Sequence, residues 1–145
     1  MRSEERRGKT EEVQAMGTYH ELEMVTMLAM LEYTILGIMV ARARERYGVA
    51  APATTGNPDF ERYFRVHENT LEALIVFLPA VWIFALEVNY HFAVALGTLF
   101  LIARIIYASG YLSAANKRAS GALATAAVNG VLVLGSMIAI TIKAL

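Results

Sequence analysis

Four long apolar blocks divide the chain. Residues 22–41 are apolar apart from Glu23, Glu32 and a few small polar side chains; residues 71–86 carry only Glu72; residues 92–112 carry only Arg104; and residues 121–142 carry no charge. Each block is close to the ~20 residues that a helix needs to cross the hydrocarbon core of a bilayer. A soluble four-helix bundle would show one apolar stripe per helix, whereas the third and fourth blocks are apolar around their whole circumference. The pattern therefore predicts an all-α, integral membrane four-helix bundle protomer, with helices over about 20–46, 59–87, 91–113 and 119–143. Pro79 falls inside the second of these, where a membrane helix tolerates the lost backbone hydrogen bond if its neighbours satisfy the freed carbonyl.

The boundaries carry their own signals. The first helix runs out in Arg42, Arg44, Arg46 and Gly48, cations and a glycine that suit a helix C-terminus. Residues 49–58 hold two prolines, a glycine and an asparagine and read as a turn-rich loop, after which Asp59 is the expected cap of the second helix. Residues 1–18 are expected to be a disordered extension outside the four-helix domain of 19–145, with no cleavable signal peptide.

Composition agrees with the pattern. The 145 residues are 57% hydrophobic with a mean hydropathy of +0.45 and no formal net charge, too apolar for an ordinary soluble domain. Arg42, Arg44, Arg46, Arg62 and Arg65 flank the first loop and Lys117 and Arg118 lie in the third, whereas the second loop, residues 87–91, has no lysine or arginine. Loops one and three are therefore expected on the cytoplasmic side. The chain contains no cysteine, so any thiol chemistry must be brought in by a small molecule.

The candidate chemistry sits where charge abuts the second apolar block. On a helix Arg62, Arg65, Asn69 and Glu72 fall at i, i+3, i+7 and i+10 and share a face, as do Arg104, Tyr107 and Tyr111 on the third helix. Taken singly, Arg104 could snorkel to the headgroups and the tyrosines could form an interfacial belt. Taken together, Arg44, Arg62, Arg65, Arg104 and Arg118 gather at one end of the bundle with too few carboxylates to neutralise them, and a bound polyanion would resolve the excess. Arginine forks suit carboxylates, Glu72 suits an ammonium group and Asn69 an amide. That inventory matches a zwitterionic peptide with more than one carboxylate. The fourth helix, rich in Gly121, Ala122, Thr125, Ala126, Gly130, Gly135 and Ser136, reads as a close-packing scaffold in which Asn129 needs a partner on another helix. The scattered histidines make metal binding unexpected, and a nucleic-acid surface lacks both net charge and interleaved aromatics.

Residues 54–62 (TTGNPDFER), 65–72 (RVHENTLE), and Arg104 with Tyr107, Gly110, Tyr111 and Arg118 resemble the membrane-associated proteins in eicosanoid and glutathione metabolism, most closely the microsomal glutathione transferase branch. The resemblance spans about residues 30–143. It implies a homotrimer with glutathione, as cosubstrate or cofactor, bound at subunit interfaces on the cytoplasmic side, and a lipophilic electrophile arriving from the bilayer. Arg65, Asn69 and Glu72 match residues that hold glutathione, Arg44, Arg104 and Tyr107 match residues that hold carboxylates or orient the peptide, and His67, Tyr111 and Arg62 lie at further contact positions. Arg118 matches the residue thought to stabilise the thiolate and is the expected catalytic residue. Reduction of lipid hydroperoxides is an expected second activity, and a non-catalytic lipid-binding scaffold of the five-lipoxygenase-activating-protein type is the alternative. Ala73, Glu45 and Ile106 depart from the residues found in relatives.

Overall fold

A computed structural model describes residues 19–145 of the chain, and the extension expected over residues 1–18 lies outside the described residues. Four helices follow one another: α1 (His20–Tyr47), α2 (Pro58–Glu87), α3 (Tyr90–Ser113) and α4 (Ala119–Ala144), with a single 3-10 turn, Ala115–Arg118, leading into α4. All four are long and apolar enough to cross a membrane. The all-α, four-span reading of the hydrophobic blocks thus holds.

The helix ends follow local chemistry. Gly48 takes a left-handed conformation at the end of α1, with φ of 66°, and its N–H bonds back to the Arg44 carbonyl. At the start of α2 the cap is Asn57, not the expected Asp59: the Asn57 side chain accepts hydrogen bonds from the Asp59 and Phe60 backbone N–H groups, at 2.9 and 3.2 Å. Pro58, which has no N–H to satisfy, occupies the first helical position, and this places the cap two residues before Asp59. Asp59 instead pairs with Arg62 at 2.7 Å. Asn89 caps α3 by accepting from the Phe92 N–H at 3.1 Å.

The central helices are α2 and α3; α1 and α4 each pack on both of them. The interior has three tiers. The largest joins Leu22, Val25 and Ala29 of α1 to Leu74, Phe77 and Val81 of α2, Phe100 of α3 and Leu132 of α4. At its centre the Phe77 and Phe100 rings stack with centroids 3.8 Å apart, both fully buried. Nearer the charged end, Leu36, Val66, Tyr107, Ala108 and Tyr111 form a second tier, and Val40, Ala43, Val49 and Phe60 a third beneath the first loop. Large apolar side chains such as Met24, Met27, Leu31, Leu123, Leu134 and Ile138 are left exposed on α1 and α4, the surface expected where lipid is the solvent.

One close approach fixes the geometry of the charged end. A Cβ at Gly121, in the first turn of α4, would collide with the backbone of Tyr107 on α3, so only glycine lets the two helices meet there.

Candidate functional site

The polar stripe of α2 is split by the structure. Arg65, Asn69 and Glu72 face a groove, together with Ala73, while Arg62 turns toward the end of α3. Across the groove stand Arg104, Tyr107 and Tyr111 of α3 and Arg118 at the start of α4. Seven of the ten residues expected to act together therefore line one cavity of about 650 Å³.

Asn69 and Tyr107 are joined directly, the Asn69 Nδ2 donating to the Tyr107 Oη at 2.6 Å. Because that hydroxyl accepts from the amide, its own proton remains for a further acceptor. Tyr107 itself is 3% exposed and its ring lies parallel to that of Tyr111, 5.8 Å between centroids. Two arginines rest on this aromatic pair: the Arg104 guanidinium carbon is 4.1 Å from the Tyr107 centroid and that of Arg118 is 4.9 Å from the Tyr111 centroid. Ring stacking of this kind fixes a guanidinium plane while leaving its N–H edges to donate.

Arg104 does not snorkel. It is 3% exposed, and its Nη2 donates to the Thr70 hydroxyl across the α2–α3 contact. Arg118, by contrast, is exposed, at the junction of the 3-10 turn and α4. Its position depends on Gly110, where a Cβ would lie 2.6 Å from the Lys117 carbonyl oxygen; the turn folds back onto α3 through that gap. The N-terminus of α4 adds its positive dipole end to the Arg118 charge.

Arg65 is paired with Glu68 at 2.8 Å on the exposed flank of α2. The groove itself is lined by three arginines (Arg65, Arg104, Arg118) and one carboxylate (Glu72). The opposite wall is made by small and uncharged side chains, Ala122, Thr125, Ala126 and Asn129 of α4. The sequence reading assigned this helix to scaffold alone, yet the four residues fall at i, i+3, i+4 and i+7, a helical face that spacing does disclose. Asn129 finds its interhelical partner in the Ala73 carbonyl at 3.2 Å, while its Oδ1 is buried without one.

Three expected residues stand elsewhere in the chain. Arg44 donates to the Ala53 carbonyl at 2.7 Å and lies over the Phe60 ring, tying the first loop to α1. Arg62 bonds Asp59 and the carbonyls of Leu112 and Ser113, at 3.3 and 3.5 Å, and so clamps the start of α2 to the end of α3. His67 stacks on Tyr33 of α1 with centroids 4.3 Å apart, facing away from the groove. A second cavity, about 500 Å³, opens between α1 and α3 and is apolar except for Glu32 and Ser109.

The MAPEG family model matches residues 22–138. An uncharacterized protein of Synechocystis is 47% identical over 117 residues, covering 81% of this chain and 85% of its own length. Human microsomal glutathione S-transferase 2 is 36% identical over 100 residues, 69% of this chain and 68% of its own, and bovine leukotriene C4 synthase is 33% identical over 105 residues, 72% and 70% respectively.

Proposed function

This chain belongs to the MAPEG family, and from that premise we propose that it is a membrane-embedded glutathione transferase, which conjugates glutathione to lipophilic electrophiles and also reduces lipid hydroperoxides. Two of its relatives carry names of glutathione chemistry, one a glutathione transferase and one a leukotriene C4 synthase. The observation that carries the reading is the convergence of Arg65, Asn69, Glu72, Arg104, Tyr107, Tyr111 and Arg118 on one groove.

Glutathione offers two carboxylates, one ammonium and one thiol. Arg65 and Arg104 are the forks for the carboxylates, Glu72 partners the ammonium, and the Tyr107 hydroxyl donates its remaining proton to the peptide. Once the thiol ionises, the ligand carries two net negative charges, which suits a groove lined by three arginines and one carboxylate. Arg118 is the catalytic residue. A free thiol with a pKa of about 8.5 is mostly protonated at neutral pH, and a guanidinium beside the sulfur favours the thiolate without accepting the proton, which leaves to water. The thiolate then attacks the electrophilic carbon; a carbon–sulfur bond forms, and either a leaving group departs or the adduct takes up a proton. With a hydroperoxide the sulfur attacks the O–O bond, releasing the alcohol, and a second glutathione resolves the sulfenic acid as the disulfide.

The electrophile reaches the groove from the bilayer, loops one and three face the cytoplasm, and the protomers assemble as a homotrimer with sites at the interfaces. Mass measurement of detergent-solubilised protein tests the trimer independently of chemistry. For the activity, the test is glutathione-dependent turnover against a panel of aryl halides and lipid hydroperoxides. Wild-type turnover that Glu72→Ala impairs through a raised KM for glutathione supports the reading; turnover of the panel that is independent of glutathione, or absent in folded trimer, contradicts it.

A further inference from the structure

Arg104 presents an unsolved charge problem. The side chain is 3% exposed, its Nε has no hydrogen-bond partner, and its Nη2 bonds only the neutral Thr70 hydroxyl. No carboxylate is in ion-pair contact with it among the described residues. A guanidinium inside a membrane protein needs an opposite charge near it or it destabilises the fold.

Glu32 is placed to supply that charge. It sits on the inward stripe of α1, between Ala29 and Leu36, both buried, at the seam where α1 meets α3. It lines the apolar cavity with Leu101, Ile105 and Ala108, which bracket Arg104 at positions −3, +1 and +4 of α3. Glu32 is half-buried and makes no hydrogen bond among the described residues, so it too lacks a local partner. Glu68 is committed to Arg65, and Glu72 is exposed at the groove. That leaves Glu32, which faces the stretch of α3 carrying Arg104 across the α1–α3 seam.

We propose that Glu32 is the counter-charge of Arg104, a positioning residue that stabilises the guanidinium inside the empty bundle and limits how strongly the groove attracts an anion. The two residues open onto different cavities, Arg104 onto the polar groove and Glu32 onto the apolar one, so an anion on Arg104 and the Glu32 carboxylate compete for one charge from opposite sides of α3. The effect on an anionic ligand therefore has the opposite sign to the effect on the empty protein. Removing the Glu32 charge leaves a buried cation uncompensated, which lowers stability, and it raises the positive potential in the groove, which tightens anion binding. The binding arm rests on the glutathione reading given above; the stability arm does not.

The test is a double-mutant cycle in purified, ligand-free protein with Glu32→Gln, Arg104→Gln and the double variant, read as apparent Tm in detergent. Glu32→Gln is expected to lower Tm by several degrees in the wild-type background and to have little effect in the Arg104→Gln background. Equal losses in both backgrounds overturn the pairing. Glu32→Asp, which retains the charge, should keep most of the wild-type Tm, and a loss as large as that of Glu32→Gln also overturns it. The second measurement is glutathione affinity by calorimetry. Glu32→Gln should bind glutathione roughly threefold or more tightly, despite its lower Tm, a combination that a merely structural role for Glu32 does not produce. Unchanged or weaker binding in Glu32→Gln overturns the anion-limiting role, whereas no glutathione binding by any variant, wild type included, with the Tm coupling intact, refutes the glutathione reading and leaves the counter-charge standing.

Discussion

Gly121→Ala is predicted to damage the site by moving a helix, without replacing any groove-lining side chain. An ideal Cβ at Gly121 lies 2.7 Å from the Tyr107 Cβ and closer still to its backbone, whereas ordinary van der Waals contact begins at 3.4 Å. The closest obstruction is the Tyr107 main chain, whose Cα lies 2.5 Å from that Cβ, so no rotamer change relieves it, and α3 and α4 must separate by at least the difference between 3.4 and 2.5 Å, 0.9 Å. Overpacking of this kind costs about 1–3 kcal/mol. The same separation moves Tyr107 relative to Arg118, which line one wall of the groove, and a misplacement near 1 Å can reduce turnover by roughly 100-fold. Gly130→Ala is the matched control: nothing lies within 4 Å of the position, and exchanging glycine for alanine inside a helix stabilises it by up to about 1 kcal/mol. The assay is apparent Tm in detergent alongside glutathione-dependent conjugation of a chloronitrobenzene. Gly121→Ala should lose both stability and at least tenfold in turnover, while Gly130→Ala keeps both. If the two variants behave alike, the close α3–α4 contact does not govern the site and the reasoning fails.

Further outcomes follow from the groove and the core. Glu68→Gln frees Arg65 from its 2.8 Å ion pair, and since exposed pairs contribute about 0.2–1 kcal/mol, calorimetry should show glutathione binding up to about fivefold tighter. Tyr107→Phe removes both the acceptor of the Asn69 amide and the proton available to the ligand; with a hydrogen bond to a neutral peptide group at about 0.5–1.5 kcal/mol, the glutathione Kd should rise roughly 2- to 13-fold. Phe77→Ala deletes a fully buried ring stacked on Phe100, in a different tier from the groove, and should cost about 3–5 kcal/mol of stability, measured by denaturant titration, while leaving glutathione affinity in the folded fraction unchanged.

The four helices were legible because lipid, unlike water, requires apolar residues on every face, and that requirement writes uninterrupted blocks into the chain. The i, i+3, i+7 spacing on α3 also sufficed to bring Arg104, Tyr107 and Tyr111 to one wall, since helical periodicity survives folding. Sequence discloses less where a charged side chain has a backbone partner. Arg62 continues the Arg65–Asn69 stripe by arithmetic, yet the carbonyls ending α3 lie within its reach, and Arg44 is drawn to the Ala53 carbonyl in the same way. Where a loop carbonyl falls in space is a property of the whole chain path and leaves no local trace in sequence. The Asn57 cap was missed for a narrower reason, because the fixed φ and missing N–H of Pro58 decide the first helical position ahead of the preference of aspartate for caps. Glu32 was visible only as a polar residue in an apolar block; its place at the α1–α3 seam comes from the packing of the two helices.

The most direct test of the central claim is a titration of purified protein with glutathione near neutral pH, following the ultraviolet absorbance of the thiolate, in wild type and Arg118→Ala. Wild type should bind glutathione and develop the thiolate band, while Arg118→Ala should still bind through Arg65, Glu72 and Arg104 but require a pH about 1 unit or more higher for the same band. A wild-type protein that develops no band, or an Arg118→Ala variant that develops it at the wild-type pH, would contradict the account.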